Sequence, residues 1–311
     1  MRRAIKLTWA TVLVASSLTL LKAQDLSPRA YVITPLHSNA VTLTYSYYSG
    51  SIQLNGVLAD ASATGTYSVP IFTYYHSFGM FGRSSNLNIA IPYGIGTFQG
   101  EFGDLTRQIY RSGLVDTTLR LSVNLMGGPS MQAREFANWN QKTLLGASLK
   151  AVIPTGQYDP NKLINWGANR WAVKPEFGVS RRRGHVLVDA YAGVWFYTTN
   201  QHYYSAIGPQ PQSEKPIGSF EGHLSYDFKP RFWLSLDGNF WFGGTTSLSG
   251  IENPATRQTS SRIGGTASLP LTKHQSVKFS YANGAYVRFG GNYQTVSAAW
   301  QYSWLGLHPQ P

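Results

Sequence analysis

Apolar and polar residues alternate with a period of two in many short stretches of this 311-residue chain. In VTLTYSYYS, residues 41–49, the apolar or aromatic side chains of Val41, Leu43, Tyr45 and Tyr47 alternate with Thr or Ser. A β-strand points successive side chains to opposite faces, so this pattern predicts strands with one apolar and one polar face. Further segments, from VPIFTYYHSF, NLNIAIPY and TLRLSVNL to TVSAAWQYSW near the C-terminus, bring the predicted total to about twelve strands.

The N-terminus has the three-part pattern of a secretory signal peptide. Three basic residues among the first six precede an apolar stretch over residues 7–21, and LKA then ends at Ala23, where a signal peptidase would cut. The apolar stretch is too short to span a bilayer comfortably. We therefore expect residues 1–23 to be removed on export.

The composition favours a barrel in a bacterial outer membrane. The chain has no cysteine, 13% charged residues, 14% aromatic residues and 31 glycines. No helical apolar segment of about 20 residues follows the signal, so spanning by helices is not expected. The formal net charge of +12 includes four basic residues of the signal, and the remaining excess fits contact with anionic lipid head groups. Nucleic acid is not an expected partner, because no basic stripe follows a single element.

The predicted connections alternate between short and long, as in outer-membrane barrels, which have short periplasmic turns and long external loops. The short turns are RRRG, KP and LTKHQ, and the long loops cover residues 50–65, 95–112, 154–170, 198–216 and 243–259. We predict an all-β fold with one antiparallel transmembrane barrel over residues 41–304, after an N-terminal segment, 24–40. One long connection, 127–142, falls where a short turn is expected, and its middle is predicted to form a short periplasmic helix.

The C-terminus bears on assembly of the barrel. Many outer-membrane barrels end in an aromatic residue that the assembly machinery reads, so this machinery is an expected partner. Here Trp304 is followed by a tail, residues 305–311. The assembly signal would then be internal, or the tail would hang in the periplasm.

Strand parity separates a lipid face from a lumen face. If the apolar set meets lipid, the ionisable set lines the interior, because charged side chains in the hydrocarbon cost several kcal/mol each near the midplane. The ionisable residues assigned to the lumen are Arg120, Lys150, Arg170, Lys174, Glu176, Asp189, Glu221, His223, Arg231, Asp237, Arg262 and Lys278. Both signs occur, which predicts ion pairs across the lumen. These pairs would either satisfy a buried polar interior or form a constriction for a solute.

Four aromatic residues are predicted to share the lumen face, namely Tyr191, Trp195, Trp233 and Trp241. Their rings could stack on a ring-shaped solute, or they could only fill the interior. The lumen residues of both sets form a hypothetical substrate path.

The segment TGQYDPNKLINWGANRW, residues 155–171, is the third long loop in the predicted order. Its Asp-Pro and Asn-containing turns predict a compact loop that folds over the mouth of the barrel. As an external gate we single out Tyr158, Asp159, Asn165, Trp166 and Asn169. Asp159, Asn161 and Asn165 lack the spacing of a calcium loop, so no metal is expected there.

Other sites for chemistry are not supported by the sequence. The seven histidines are scattered without ligand spacing, so no metal is predicted, and no cofactor is expected. The glycine-rich IAIPYGIGTFQG is not followed by a helical pattern, which argues against a dinucleotide site. His223 has Ser219 and Ser225 nearby but points to the lumen by parity, so a barrel lipid hydrolase is the weaker alternative and no catalytic residue is assigned.

Several stretches resemble a bacterial outer-membrane family named for the MetA pathway of phenol degradation and described as transporter-like. They are GQYDPNKLINWGANRWAVKPEFGVS, DAYAGVWFYT, GHLSYDFKPRFWLSLDGNFWFGG and VKFSYANGAYVRFGGNYQTVSAAWQYSW. These motifs occur in the matching order, and the similarity as a whole covers nearly all of the mature chain. The resemblance implies a non-enzymatic outer-membrane protein for passive uptake of small hydrophobic or aromatic compounds. A structural or adhesive barrel that binds a surface partner through its external loops remains the alternative.

Overall fold

The computed structural model describes residues 26–53, 61–102, 105–205 and 207–306. The expected signal peptide and all but the first two residues of the expected tail lie outside these ranges. In chain order the strands are β1 (Ser38–Gln53), β2 (Ala61–Met80), β3 (Arg83–Phe102), β4 (Leu105–Leu114), β5 (Thr117–Met126), β6 (Thr143–Ile153), β7 (Ala172–Arg183), β8 (Val186–Tyr197), β9 (Asn200–Tyr203), β10 (Gln210–Glu214), β11 (Ile217–Lys229), β12 (Phe232–Gly243), β13 (Thr246–Leu248), β14 (Ile251–Asn253), β15 (Gln258–Pro270), β16 (Gln275–Val287) and β17 (Gly290–Leu305).

Thirteen of these strands build a closed, antiparallel barrel, as predicted. It has twelve barrel strands, since β4 and β5 together count as one. Neighbouring strands pair in chain order, and β1 pairs with β17 from Ser38–Leu305 to Gln53–Gly290, which closes the ring. β4 and β5 are the upper and lower parts of one barrel strand, because both pair with β3 and only Val115 and Asp116 separate them. Closure leaves no free edge, which a sheet in hydrocarbon requires.

The period-two alternation of the sequence becomes the two faces of the barrel wall. On β12, Leu234 and Leu236 are exposed on the outside, Leu236 to 67%, whereas Trp233, Ser235 and Asp237, which alternate with them, are buried in the interior. Exposed Leu, Phe, Tyr and Val side chains continue around the outer surface. This apolar band is the surface that a bilayer would cover.

The predicted long loops are partly regular structure, which corrects their boundaries. β2 and β3 have 20 residues each, far more than the roughly 10 that cross a bilayer, so residues predicted as loop at 95–112 form the β3–β4 hairpin. Loops 198–216 and 243–259 contribute β9, β10, β13 and β14 to a separate four-stranded sheet. These strands have only three to five residues, too few for a clear alternation, so they are not predictable from the sequence pattern.

The opposite end of the barrel carries the short turns, and by their length we identify it as the periplasmic end. The helix expected in the 127–142 connection is present as α1 (Ala133–Ala137). Among the residues described, no helix is long and apolar enough to cross a membrane. Arg231 was wrongly assigned to the lumen: it lies in the β11–β12 turn with a positive φ of 66°, and its guanidinium donates to the carbonyls of Thr272 and Lys273.

Candidate functional site: the barrel lumen

The structure brings the predicted lumen residues together inside the barrel. Arg170 lies just before β7 at the external end, and the others occupy inward positions of their strands: Arg120, Lys150, Lys174, Glu176, Asp189, Tyr191, Trp195, Glu221, His223, Trp233, Asp237, Trp241, Arg262 and Lys278. Their role as a substrate path remains a prediction.

An ion-pair network crosses one side of the lumen. The Lys174 ammonium lies 2.6 Å from Glu176 and 3.0 Å from Glu221, and Arg120 lies 3.5 Å from Glu176. Lys174 is only 2% exposed. A buried charge without a partner is strongly destabilising, so the cation between two carboxylates gives each buried charge a partner. The network links β5, β7 and β11.

His223 is held by carboxylates inside the barrel. Its Nδ1 is 2.8 Å from Asp237 Oδ1, and its Nε2 is 3.6 Å from Glu221. Asp237 Oδ2 also accepts hydrogen bonds from the hydroxyls of Ser235 and Thr266. His223 is thus far from the lipid-facing surface on which a lipid hydrolase would need it.

The N-terminal segment, residues 26–37, lies inside the periplasmic half of the lumen. The backbone N–H of Arg29 donates to Asp189, and that of Ala30 donates to the Tyr191 hydroxyl. The Arg29 guanidinium stacks over Trp233 at 4.2 Å and pairs with Asp227 at 2.7 Å. The segment therefore occludes the periplasmic half of the lumen. Several predicted lumen residues contact this segment and do not face open space.

Tyr31 is the most deeply seated residue of this segment. Its hydroxyl bonds to Ser148 and to the Glu176 carboxylate, both at 3.0 Å, and its ring is 1% exposed. The ring rests on Gly146 and Gly178, which pair across β6 and β7, and a methyl group at either glycine would overlap it. No pattern within the segment predicts this position. The signal in the sequence is the pair of glycines at inward positions of adjacent strands, Gly146 and Gly178. They leave a space in the interior that a side chain from elsewhere must fill.

The external half of the lumen contains two aromatic groups. Trp195 and Trp241 pack with Val152, Ala172 and Ile217 on one side. Arg170 lies at the external end of this group. It forms an ion pair with Glu214 of β10, and its guanidinium stacks over Tyr197 at 4.7 Å.

The second group, here called the aromatic mouth, consists of Tyr48, Tyr67, Phe98, Trp166 and Tyr293. The Tyr48 and Tyr67 rings stack with centroids 4.6 Å apart, and Tyr293 meets Tyr67 edge-on at 5.2 Å. The Tyr67 and Tyr293 hydroxyls and the Trp166 indole nitrogen are buried and have no hydrogen-bond partner in the described part of the chain. Such groups are costly to leave unpaired, so the aromatic mouth offers both ring faces and unused polar atoms.

The external loop 155–171 brings Trp166 to this place. Trp166 packs over Gly94 on the inner face of β3, where a larger residue would not fit. Asp116, at the break between β4 and β5, anchors the two ends of the loop by accepting from the backbone N–H groups of Gly156 and Ala168 at 3.0 and 2.9 Å. The loop thus enters the mouth rather than projecting outward.

The other predicted gate residues shape this loop. Asn165 bridges it internally by accepting from the Asp159 N–H and donating to the carbonyls of Asp159 and Lys162. The N–H of Asn161 and the Lys162 ammonium lower the pKa of the Asp159 carboxyl. Asn200, the first residue of β9, donates to the Tyr158 hydroxyl and accepts from the Asn169 amide, and burial raises the pKa of the Tyr158 phenol. A gating role remains a prediction.

Opposite the ion pairs, the interior is lined by small side chains. This small-residue wall comprises Thr44, Ser46, Thr266, Ser280, Ala282, Thr295, Ser297 and Ala299 on β1 and β15–β17. Apart from Ser46, these inward residues are only half-buried. Small side chains that face a lumen and stay partly accessible mark the side of the barrel where space remains.

The outer wall has an apolar groove of about 610 Å³ near the same strands, lined among others by Leu43, Phe72 and Phe279. Pro70 of β2 is one of its lining residues, and the β2–β3 ladder has no paired residues at Val69 and Pro70. Proline has no N–H to donate, which explains the weakened pairing.

Comparison with known proteins agrees with this architecture. The COG4313 outer membrane channel from Pseudomonas putida F1 is similar with a TM-score of 0.74 and 17% identity, covering 90% of this chain and 100% of that one. The transport unit of the autotransporter AIDA-I from Escherichia coli gives a TM-score of 0.50 and 12% identity, covering 94% and 95%. At these identities the likeness concerns the fold. Comparison with curated protein sequences gives no significant match. The family model described as "Putative MetA-pathway of phenol degradation" matches residues 48–294.

Proposed function

Since the chain belongs to the family described as "Putative MetA-pathway of phenol degradation", we propose that it is an outer-membrane channel for passive uptake of small hydrophobic or aromatic compounds. The observation that carries the proposal is the aromatic mouth. It combines stacked rings with three buried polar atoms that have no partner in the described chain. A ring with one polar substituent would satisfy both the stacking and the hydrogen bonds.

Two further observations support an apolar solute. The small-residue wall continues from the aromatic mouth toward the periplasm, so it provides a path on the side of the lumen opposite the ion-pair network. The groove beside Pro70 offers apolar surface on the lipid side, close to the place where the β2–β3 ladder is weakest. A wide aqueous pore is not supported, because the N-terminal segment and loop 155–171 both enter the lumen.

The proposal places the protein in a bacterial outer membrane, in contact with its lipids, and assigns it no catalysis. The fold of outer-membrane barrels and the continuous apolar band support this location. The expected interaction with the barrel assembly machinery is part of the same proposal.

The test compares two tryptophan substitutions on β17. Ser297 faces the lumen from the small-residue wall, whereas the adjacent Val296 is 55% exposed on the lipid side. Both variants are produced in a porin-deficient Gram-negative host, whose outer leaflet slows entry of aromatic solutes, and uptake of labelled benzyl alcohol is measured. Ser297→Trp should abolish most of the protein-dependent uptake, while Val296→Trp should leave it unchanged. Equal uptake by the two variants and the wild type would refute passage along this wall.

A further inference from the structure

Lys278 occupies an unusual position among the lumen cations. It points inward from β16 and is half-buried, and it makes no hydrogen bond or ion pair with any residue that the structure describes. The lumen carboxylates have other partners: Glu176 and Glu221 bind Lys174, and Asp237 binds His223. The charged group close enough to act on Lys278 is another cation, Arg29.

The side chains around Lys278 are small and neutral. Its cross-strand neighbours are Ser268 on β15 and Ala299 on β17. The next inward residues on its own strand are Ser276 and Ser280. Ser268 and Ser276 are buried, whereas Lys278, Ser280 and Ala299 stay partly accessible, so the long cationic side chain can be reached from the small-residue wall. An ammonium group in a partly dehydrated interior lacks the counter-charge that would stabilise it there.

Lys278 also lies at a defined distance from the aromatic mouth. It pairs with Ala299, and Tyr293 of the mouth is six residues farther along β17 toward the outside. At about 3.4 Å per residue this separation is about 20 Å. Between the two lie Thr295 and Ser297 of the small-residue wall. The path thus begins with aromatic rings and ends at a cation.

We propose that Lys278 is the binding site for the carboxylate group of an organic anion with an apolar body, such as an aromatic acid. This inference rests on the proposed function and narrows its substrate class. The ring first occupies the aromatic mouth, and the carboxylate then moves along the small-residue wall to the ammonium. Arg29, seated on Trp233 in the same half of the lumen, is already paired with Asp227, so Lys278 is the cation that remains for the carboxylate at the end of the path.

The test measures a ratio in the uptake assay, that of benzoate to benzyl alcohol, two solutes with the same ring and different charge. Lys278→Gln and Lys278→Met should lower this ratio by about tenfold, the effect of losing one charge-assisted hydrogen bond, and Lys278→Arg should restore it. Lys215→Gln is the matched control, because Lys215 is 60% exposed outside the barrel and pairs with Glu252. The heat-dependent gel mobility of each variant reports whether its barrel is folded.

The outcomes separate the two proposals. A ratio that falls in both neutral variants and recovers in Lys278→Arg supports the anion site. A ratio equal in the wild type and the neutral variants, with protein-dependent uptake of benzyl alcohol intact, overturns the anion site and leaves the channel standing. Wild-type uptake of both solutes at the level of cells without the protein overturns both. Reversal potentials in a KCl gradient give a second measure: the preference for chloride should decrease in Lys278→Gln and not in Lys215→Gln.

Discussion

Replacement of Tyr31 by alanine should release the N-terminal segment from the lumen. Tyr31 contributes the hydroxyl that binds Ser148 and Glu176, and its ring fills the space above Gly146 and Gly178. The barrel strands themselves lose little, because their ladder hydrogen bonds do not involve this side chain. The change therefore acts on docking of the segment rather than on folding of the barrel.

The magnitude follows from burial. Truncation of a large buried aromatic side chain to alanine costs about 3–5 kcal/mol. About 3 kcal/mol corresponds to a shift of roughly a hundredfold in the docking equilibrium. Tyr31→Phe keeps the ring but leaves Ser148 and Glu176 without the hydroxyl, at a cost of about 1–3 kcal/mol, so its effect should be smaller.

Two measurements report the docked state. The chain has no cysteine, so Ala30→Cys introduces a single thiol within the segment. Its rate of modification by a water-soluble maleimide should rise steeply with Tyr31→Ala and moderately with Tyr31→Phe. Single-channel conductance in planar bilayers should rise in the same order, since the segment occludes the lumen.

A glycine variant tests the same reasoning without touching Tyr31. Gly178→Ala should also release the segment, because the added methyl group would overlap the Tyr31 ring. Gly222→Ala is the matched control, since a methyl group there meets nothing within 4 Å. If thiol modification and conductance stay at wild-type values in both Tyr31→Ala and Gly178→Ala, the segment is not held as described.

Two further predictions concern loop 155–171. Asp116→Asn removes one acceptor from the pair of bonds to Gly156 and Ala168, so trypsin should cleave the loop about tenfold faster or more; unchanged cleavage would show that these bonds do not anchor it. The N–H of Asn161 and the Lys162 ammonium lower the pKa of the Asp159 carboxyl below its ordinary value of 3.8. The contribution of the ionised carboxylate to the stability of the loop is therefore complete above about pH 4 and is lost as the pH falls through the lowered pKa. An acid-tolerant protease should therefore cleave the loop faster on acidification, and Asp159→Asn should remove this pH dependence.

The barrel itself was predictable from the sequence because its determinants are local. Alternation along a strand such as β12 follows from the pleat, and the same parity assigned Lys174, Glu176 and His223 to the interior before any contact was known. Loop-length alternation predicts which end is periplasmic and which is external. The assignment to the lumen was wrong for Arg231, because this residue has a left-handed backbone conformation in a turn and was counted as part of a strand.

What the sequence did not predict depends on contacts between distant residues. Tyr31 meets Ser148 and Glu176 more than a hundred residues away, and no period in the segment SPRAYVITP indicates that it lies in the lumen. The external sheet likewise joins two separate loops. The aromatic mouth draws Tyr67 and Tyr293 from opposite ends of the chain, so its unpaired hydroxyls could not be inferred from either strand alone.

The two ends of the lumen are closed by different chemistry, and this difference constrains how a solute could pass. The periplasmic closure rests on hydrogen bonds and ion pairs of Arg29, Ala30 and Tyr31, which an apolar molecule cannot replace. The external closure around Trp166 rests on ring packing, and an aromatic solute can substitute for those contacts at little cost. A ligand shifts a conformational equilibrium only by its differential affinity for the two states. An aromatic solute should therefore displace Trp166 by itself, whereas passage beyond the N-terminal segment requires either the space along the small-residue wall or a charged group that competes for the partners of the segment.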